Sequence, residues 1–385
     1  MRYLNYMFNK NGYLMLKFDC RYFPGDRPCR FNKEKGIKCD SCEQYKPILF
    51  KILIIKLDAV GDVLRTTSIL PPLKLKYPDS HITWCTRINS RELFTSNSYV
   101  DELIIVDVDA WFRLSKEEFD LVINLDSSKI SCSIASYAKG KDKKGFILSE
   151  KGSVIPVSDE AKYWLLMSAF DEVKQKNTRT YQQIIYDIIG LDEEACRPIY
   201  QIKEFLIKEK INYLRSLGLN ENKLSIGVNV GVGTKWPSKG LPLENWKKLI
   251  ELLKKEQKFN ILLLGGSDEL NLLNDLKSEY SDTINTGGDN DINGFAAIVS
   301  ICDVIVTADT FALHLATALN KKIIALFGPT SIDEIELYGN GIKLRAENDC
   351  KCFYQKECTE EISCMQKISA EKIYSALNDI LMLGK

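Results

Sequence analysis

The chain has 385 residues with 52 basic and 52 acidic side chains, so its formal net charge is zero. That length suffices for two domains of ordinary size, and 45% hydrophobic with 27% charged residues is typical of a globular protein. The balanced charge argues against a nucleic-acid-binding protein, which usually carries a basic excess. No stretch reaches the roughly 18 apolar residues of a membrane-spanning helix, and the first residues lack a signal peptide's apolar core. We therefore expect a cytoplasmic protein, and peripheral contact with the inner face of the membrane stays open.

The sequence predicts five regions. They are a Cys-rich extension (1–47), an N-terminal α/β domain (48–205), a charged linker region (206–221), a second α/β domain (222–349) and a Cys-containing tail (350–385). In both α/β domains short apolar runs alternate with helical patterns, which predicts parallel, doubly wound sheets. The last helical pattern, 369–383, is expected to pack back on the N-terminal domain.

The predicted strands follow the apolar runs. They lie at 51–57, 82–85, 102–106 and 121–125 in the first half and at 225–230, 260–264, 304–307 and 322–327 in the second. Helical patterns begin near Leu243, Ser267, Asn293 and Thr310. Ligands of such folds bind at the carboxyl ends of the strands, so two facing domains would place a site in the cleft between them.

The loop after the first strand reads Leu57-Asp-Ala-Val-Gly-Asp-Val-Leu-Arg-Thr-Thr67. Gly61 is expected to allow a tight turn. Asp62 then lies near a helix N-terminus, where the dipole stabilises a carboxylate anion. Asp62 is either a helix cap or a group that accepts a proton, and Asp58, four residues earlier, is the rival candidate for the second role.

Two segments of the second half carry features of a phosphate site. Residues 231–242 contain two glycines and two lysines, including Lys239, before a predicted helix, which suits either a phosphate-binding loop or a solvated surface loop. A strand then runs into Asp309-Thr310, which can cap the next helix. The free amides of residues 310–312 would face a diphosphate, and His314, one turn later, is either a packed core residue or a ligand contact.

Taken in this order, the three segments resemble glycosyltransferase family 9, the lipopolysaccharide heptosyltransferases and their relatives, over about residues 50–345. The matching residues are Gly61-Asp62-Val63-Leu64, Asn229 with Gly231 and Lys239, Asp309-Thr310 with His314-Leu315-Ala316, and Phe327-Gly-Pro-Thr330. Leu241-Pro242 replaces the family's usual Trp-Pro. Phe311 replaces the usual Gly, which would narrow the donor pocket or stack on a sugar or base.

The resemblance implies a GT-B fold, with two Rossmann-like domains facing across a cleft, and an inverting transfer without a catalytic metal. The donor it implies is ADP-heptose. In that reaction Asp62 looks like the general base, Lys239 and the amides near Thr310 and Ala312 would hold the diphosphate, and Glu269 would hold the ribose. Phe311 and His314 are further predicted donor contacts. The acceptor stays open between lipopolysaccharide core, another lipid-linked or free glycan and a protein side chain. A non-catalytic GT-B scaffold and a protein-modifying enzyme with another donor are the alternatives.

Eight of the twelve cysteines form two clusters. The first comprises Cys20, Cys29, Cys39 and Cys42, and the second comprises Cys350, Cys352, Cys358 and Cys364. Four thiols at such spacing suit a structural zinc or iron ion, with free or redox-active thiols as the alternative. Asp107 and Asp109 imitate the D-x-D metal motif of another glycosyltransferase fold, but the rest of the chain does not match that fold.

Overall fold

A computed structural model describes residues 16–346 and 350–382. The beginning of the predicted extension, residues 347–349 of the second predicted domain and the end of the predicted last helix lie outside this part. The described strands are β1 (Phe50–Ile55), β2 (Ser80–Thr86), β3 (Glu102–Ile105), β4 (Glu118–Asn124), β5 (Lys139–Leu148), β6 (Val154–Pro156), β7 (Leu224–Asn229), β8 (Phe259–Leu264), β9 (Ile284–Asn285), β10 (Val304–Ala308), β11 (Lys322–Phe327) and β12 (Gly341–Arg345).

Helices connect these strands on both faces of the sheets. They are α1 (Arg30–Lys35), α2 (Val60–Thr66), α3 (Leu70–Lys76), α4 (Val108–Leu114), α5 (Lys129–Tyr137), α6 (Asp159–Ala169), α7 (Asp171–Gln175), α8 (Tyr181–Ile189), α9 (Glu204–Ser216), α10 (Leu243–Lys255), α11 (Leu270–Glu279), α12 (Ile292–Ile301), α13 (Phe311–Ala318) and α14 (Ala370–Met382). None of the described helices is long and apolar enough to cross a membrane.

The strands form two six-stranded sheets. Their orders are β3-β2-β1-β4-β5-β6 and β12-β11-β10-β7-β8-β9, and all neighbours are parallel except β5 and β6. Both follow the Rossmann strand order, in which the chain reverses direction across the sheet beside the first strand. The central strands are buried on both faces, as Ile52, Leu53, Ile54 and Ile55 of β1 show. The prediction of two Rossmann-like units is therefore confirmed.

The sequence missed strands whose pattern differs from a buried apolar run. β5 begins Lys139-Gly-Lys-Asp-Lys-Lys144, and half of these six residues are exposed. It pairs with β4 from Lys139 to Gly145, whereas β6 pairs only with its end at Phe146–Leu148. Lysines on such an edge discourage pairing with another chain. They also remove the apolar pattern by which the sequence would predict a strand. The short β9 and the outermost β12 were missed too.

The packing of α14 corrects one prediction. This helix lies against α10 and against β11 and β12 of the second sheet, not on the N-terminal unit. Its apolar residues Ile373, Leu377 and Ile380 share a buried cluster with Trp246 and Leu249 of α10. The amphipathic face of α14 is buried by α10, so it needs no surface on the other unit.

The Cys-rich extension docks on the first sheet at the start of β2. The Arg21 guanidinium donates to the carbonyl oxygens of Asp79 and Ser80, at 2.9 and 2.7 Å, and pairs with Asp101 at 3.3 Å. Most of α9 lies in the predicted linker region, and this helix packs on α12 beside the second sheet.

Candidate active site

A cleft of about 680 Å³ is lined by both units. Its walls come from loops after β1, β7, β8 and β10, so it lies at the carboxyl ends of the strands, as doubly wound sheets require. The structure brings to this cleft all eight of the predicted catalytic and donor-binding residues: Asp62, Lys239, Glu269, Asp309, Thr310, Phe311, Ala312 and His314. The cleft volume is in the ordinary range for a ligand of nucleotide-sugar size.

Asp62 lies in the first turn of α2 and faces the cleft. One carboxylate oxygen, Oδ1, is 2.8 Å from an Arg65 guanidinium nitrogen, and the other accepts the Ala59 N–H at 3.3 Å. Burial by itself would raise the pKa of Asp62, but the positive charges of Arg65 and Lys56 outweigh burial and hold that pKa well below its usual range. Asp62 is thus an anion with one oxygen weakly held.

The rival aspartate is placed differently. Asp58 is half-exposed and pairs with Arg87, with 2.6 Å between Oδ2 and Nε. It does not line the cleft described above. Of the two acidic residues in this loop, Asp62 is therefore the one that could meet a bound substrate.

The reason for a glycine at position 61 is its contact with His314, not a turn. Gly61 is buried inside α2, and a Cβ atom there would lie 2.6 Å from Cδ2 of His314. α2 and α13 can approach this closely only because residue 61 has no side chain. Burial, helped by the charge of Arg65, lowers the pKa of His314 to about 4, so its imidazole is neutral at pH 7.

Lys239 brings positive charge to the opposite wall. Its Nζ donates to the backbone oxygen and to Oδ2 of Asp309, both at 3.1 Å. The pKa of Asp309 is lowered, because the positive charges of Lys239 and Arg65 outweigh the opposing effect of burial. A carboxylate thus holds the lysine ammonium at the cleft surface.

Thr310 occupies the N-cap position of α13, but its side chain does not cap the helix. Its hydroxyl instead lies 3.1 Å from the Thr307 hydroxyl and accepts from the Asn229 side-chain amide at 3.3 Å. The prediction that Asp309-Thr310 caps this helix is therefore wrong in its contacts. The first amides of a helix have no partner within it, so the cleft end of α13, beginning at Phe311 and Ala312, offers N–H donors to an anion.

Glu269 joins two glycine loops. Its carboxylate accepts the Gly233 N–H and the Gly266 N–H, both at 2.9 Å. A Cβ at position 231 would lie 2.5 Å from the Glu269 carboxyl carbon, so a glycine is needed there as well. Glu269 thereby fixes the loops after β7 and β8 on one side of the cleft.

Aromatic rings line much of the remaining wall. Phe311 lies near Phe295, with ring centroids 6.2 Å apart. Trp164, Lys174 and Tyr354 also line the cleft and were missed by sequence reasoning. They come from loops and helices far apart in the chain, and no local motif marks them.

Tyr354 links the cleft to the second cysteine cluster. Its ring is an edge-on neighbour of Trp236 at 6.3 Å, and the Lys174 ammonium lies 3.7 Å from the ring centroid. The Ser238 hydroxyl donates to the backbone oxygen of Gln355 at 2.6 Å. The Cys-containing tail therefore supports the Lys239 loop.

The predicted metal sites at the cysteines stay predictions. Among residues 16–346 and 350–382, no three His, Cys, Asp or Glu side chains converge so as to hold a metal ion. In the second cluster, the sulfur atoms of Cys352 and Cys358 are 3.2 Å apart, and those of Cys350 and Cys364 are 3.4 Å apart. A tetrahedral zinc or iron site would require all four thiols to point at one centre.

The D-x-D pattern is part of a helix start. Asp107 caps α4 by accepting the Ala110 N–H at 2.8 Å, and Asp109 lies in the first turn of that helix. This is the ordinary use of an aspartate at a helix N-terminus.

Known proteins resemble this chain in sequence and in fold. The model of glycosyltransferase family 9 (heptosyltransferase) matches residues 109–364, more than half of the chain. Lipooligosaccharide heptosyltransferase 2 of Haemophilus ducreyi is 28% identical over 315 residues, which cover 73% of this chain and 84% of that relative.

Solved structures agree on the architecture. The glycosyl transferase family 9 protein from Veillonella parvula superimposes with a TM-score of 0.70 at 20% identity, covering 87% of this chain and 98% of that one. E. coli ADP-heptose lps heptosyltransferase II gives 0.64 at 21% identity, covering 87% and 99%. The two parallel sheets facing across a cleft are thus the GT-B fold, and the chain belongs to glycosyltransferase family 9, the heptosyltransferase family.

Proposed function

We propose that this glycosyltransferase transfers heptose from ADP-heptose to a hydroxyl of a lipopolysaccharide core, with inversion at the anomeric carbon. The observation that carries the proposal is the pairing of an ionised Asp62 on one wall of the cleft with Lys239 and the start of α13 on the other. Relatives named as lipooligosaccharide and lipopolysaccharide heptosyltransferases support the donor and the acceptor class.

The reaction is a single displacement. The acceptor oxygen attacks the anomeric carbon as the carbon–oxygen bond to the diphosphate breaks, and the bonding electrons leave with ADP. The acceptor proton passes to Asp62. A carboxylate with a low pKa is a weak base, so it acts late in the displacement and depends on accurate placement.

The leaving diphosphate needs positive charge where it develops negative charge. Lys239 supplies an ammonium group, and the N–H donors at the start of α13 supply partial positive charge. Both come from the protein, which supports transfer without a catalytic metal. Glu269 would reach the donor ribose from the loop it shares with Gly266, and Phe311 would pack on the donor. The neutral His314 would add a hydrogen bond at the start of α13.

The proposal extends to the location of the protein, to the alternative substrates and to the roles of the two sheets. The cytoplasmic location, at the inner face of the membrane, follows from the proposed substrates. Another nucleotide sugar is the second candidate donor, favoured by Phe311, which stands where the resemblance leads us to expect glycine, and a protein side chain is the second candidate acceptor. The assignment of the first sheet to the acceptor and the second to the donor follows from which wall carries Asp62 and which carries Lys239.

The test is transfer by Asp62→Asn, measured as ADP release from ADP-heptose with a heptose-deficient core as acceptor. We expect the variant to lose at least about a hundredfold in kcat, the ordinary contribution of a general base, while its affinity for ADP stays near that of the wild type. Asp58→Asn is the matched control and should keep its activity. Full turnover by Asp62→Asn would disprove the assigned base.

A further inference from the structure

The Arg65 side chain enters the cleft from the same helix as Asp62. It lies one turn later on α2, and its side chain is 12% exposed. The guanidinium holds Oδ1 of Asp62 at 2.8 Å, whereas Oδ2 has only the longer 3.3 Å contact with the Ala59 N–H. The two carboxylate oxygens are therefore inequivalent, and the less strongly held one is Oδ2.

An aromatic ring fixes the other side of Arg65. The guanidinium carbon lies 3.7 Å from the centroid of the Tyr181 ring, and Trp164 meets that ring edge-on at 5.5 Å. Tyr181 is itself held, because its hydroxyl lies 2.6 Å from the Thr66 hydroxyl and its N–H donates to the Glu334 carbonyl at 3.0 Å. A planar guanidinium stacked on a fixed ring keeps its orientation, which a lysine ammonium cannot do.

We propose that Arg65 is a positioning residue for glycosyl transfer: stacked on Tyr181, it holds Oδ1 of Asp62 and so presents Oδ2 to the acceptor hydroxyl. This inference rests on the proposed role of Asp62 as the base. Arg65 does not touch the reacting atoms in this scheme, and it acts through the orientation and charge of the carboxylate. The other use of an arginine in this cleft is binding of the donor diphosphate, and the affinity for ADP distinguishes the two roles.

The charges around Asp62 give this proposal a pH signature. Arg65 faces it from α2 and Lys56 from the end of β1, while the neutral His314 faces it from α13, with Asp309 beyond. Among the groups that lower the pKa of Asp62 against the effect of burial, Arg65 is the largest. Removing its charge must raise that pKa, so the acid limb of the kcat/KM profile, which requires ionised Asp62, must move to higher pH.

The experiment compares Arg65→Met and Arg65→Lys with Arg113→Met, a matched control on α4 whose arginine pairs with Glu102 and Glu117. We expect Arg65→Met to lower kcat about 10- to 100-fold through lost orientation, to shift the acid limb upward, and to leave ADP affinity near wild type. The loss occurs although a higher pKa makes Asp62 a stronger base. Arg65→Lys should keep the acid limb near its wild-type position but still lower kcat. Arg113→Met should change neither.

Other outcomes overturn the proposal. A weaker affinity for ADP with kcat retained would identify Arg65 as a diphosphate ligand. An unmoved acid limb in Arg65→Met would show that its charge does not act on the base. Asp62→Asn is measured alongside: if that variant turns over, the assigned base fails, whereas if it is inactive and the Arg65 variants behave like wild type, only the positioning role fails. Arg65→Lys still tests the orientation should Arg65→Met fold poorly.

Discussion

At the residue scale, the site consists of ion pairs divided between two walls. Asp62 pairs with Arg65 on one wall and Lys239 with Asp309 on the other. Sequence reasoning found Asp62, Lys239 and Asp309 because each follows a strand directly and carries a charge. It did not single out Arg65, although this residue lies in the same quoted loop, because the stacking partner Tyr181 lies more than a hundred residues away in sequence.

Lys239 offers a direct test of the donor wall. Lys239→Met removes the ammonium that would meet the diphosphate, and a charged hydrogen bond contributes about 1.5–3 kcal/mol, so ADP should bind about 10- to 100-fold more weakly by calorimetry. Lys235→Met is the control, since Lys235 is an exposed lysine at the same cleft. If both substitutions weaken ADP binding equally, Lys239 contributes only general positive charge and makes no specific contact with the diphosphate. A melting curve checks that Asp309 tolerates the loss of its partner.

At the element scale, prediction succeeded where hydrophobicity alone determines structure. Buried strands such as β1 and β10 show as apolar runs, within one or two residues of their true ends. It failed for the lysine-rich β5, whose pairing is set by its position at an edge, and for α14, whose partner lies more than a hundred residues away in α10. The sequence marked Gly61 correctly but for the wrong reason, because contact between α2 and α13 cannot be read from either helix.

The contact between α2 and α13 is testable through Gly61→Ala. Alanine favours a helix by about 1 kcal/mol over glycine, but its Cβ would overlap the His314 ring. We expect a net loss of about 1–3 kcal/mol in the free energy of unfolding, the usual cost of overpacking, measured by denaturant titration. The double variant Gly61→Ala with His314→Ala should recover part of that loss. A Gly61→Ala protein more stable than wild type would show that the ring moves aside at little cost.

At the scale of the whole molecule, two Rossmann-like units turn the carboxyl ends of their strands toward one cleft. This arrangement could be predicted from strand–helix alternation and the order of the motifs. The aromatic lining from Trp164 and Tyr354 could not, because it comes from a helix and a tail that only the folded chain brings to the cleft. That tail supports the Lys239 loop through the hydrogen bond from the Ser238 hydroxyl to the backbone oxygen of Gln355.

Metal-independent binding of an ADP-linked sugar can be measured by calorimetric titration of EDTA-treated protein with ADP, ADP-heptose, UDP and GDP. We expect ADP and ADP-heptose to bind more tightly than UDP and GDP, with no gain from added magnesium. Preference for UDP or GDP, or binding only when magnesium is present, would contradict this expectation.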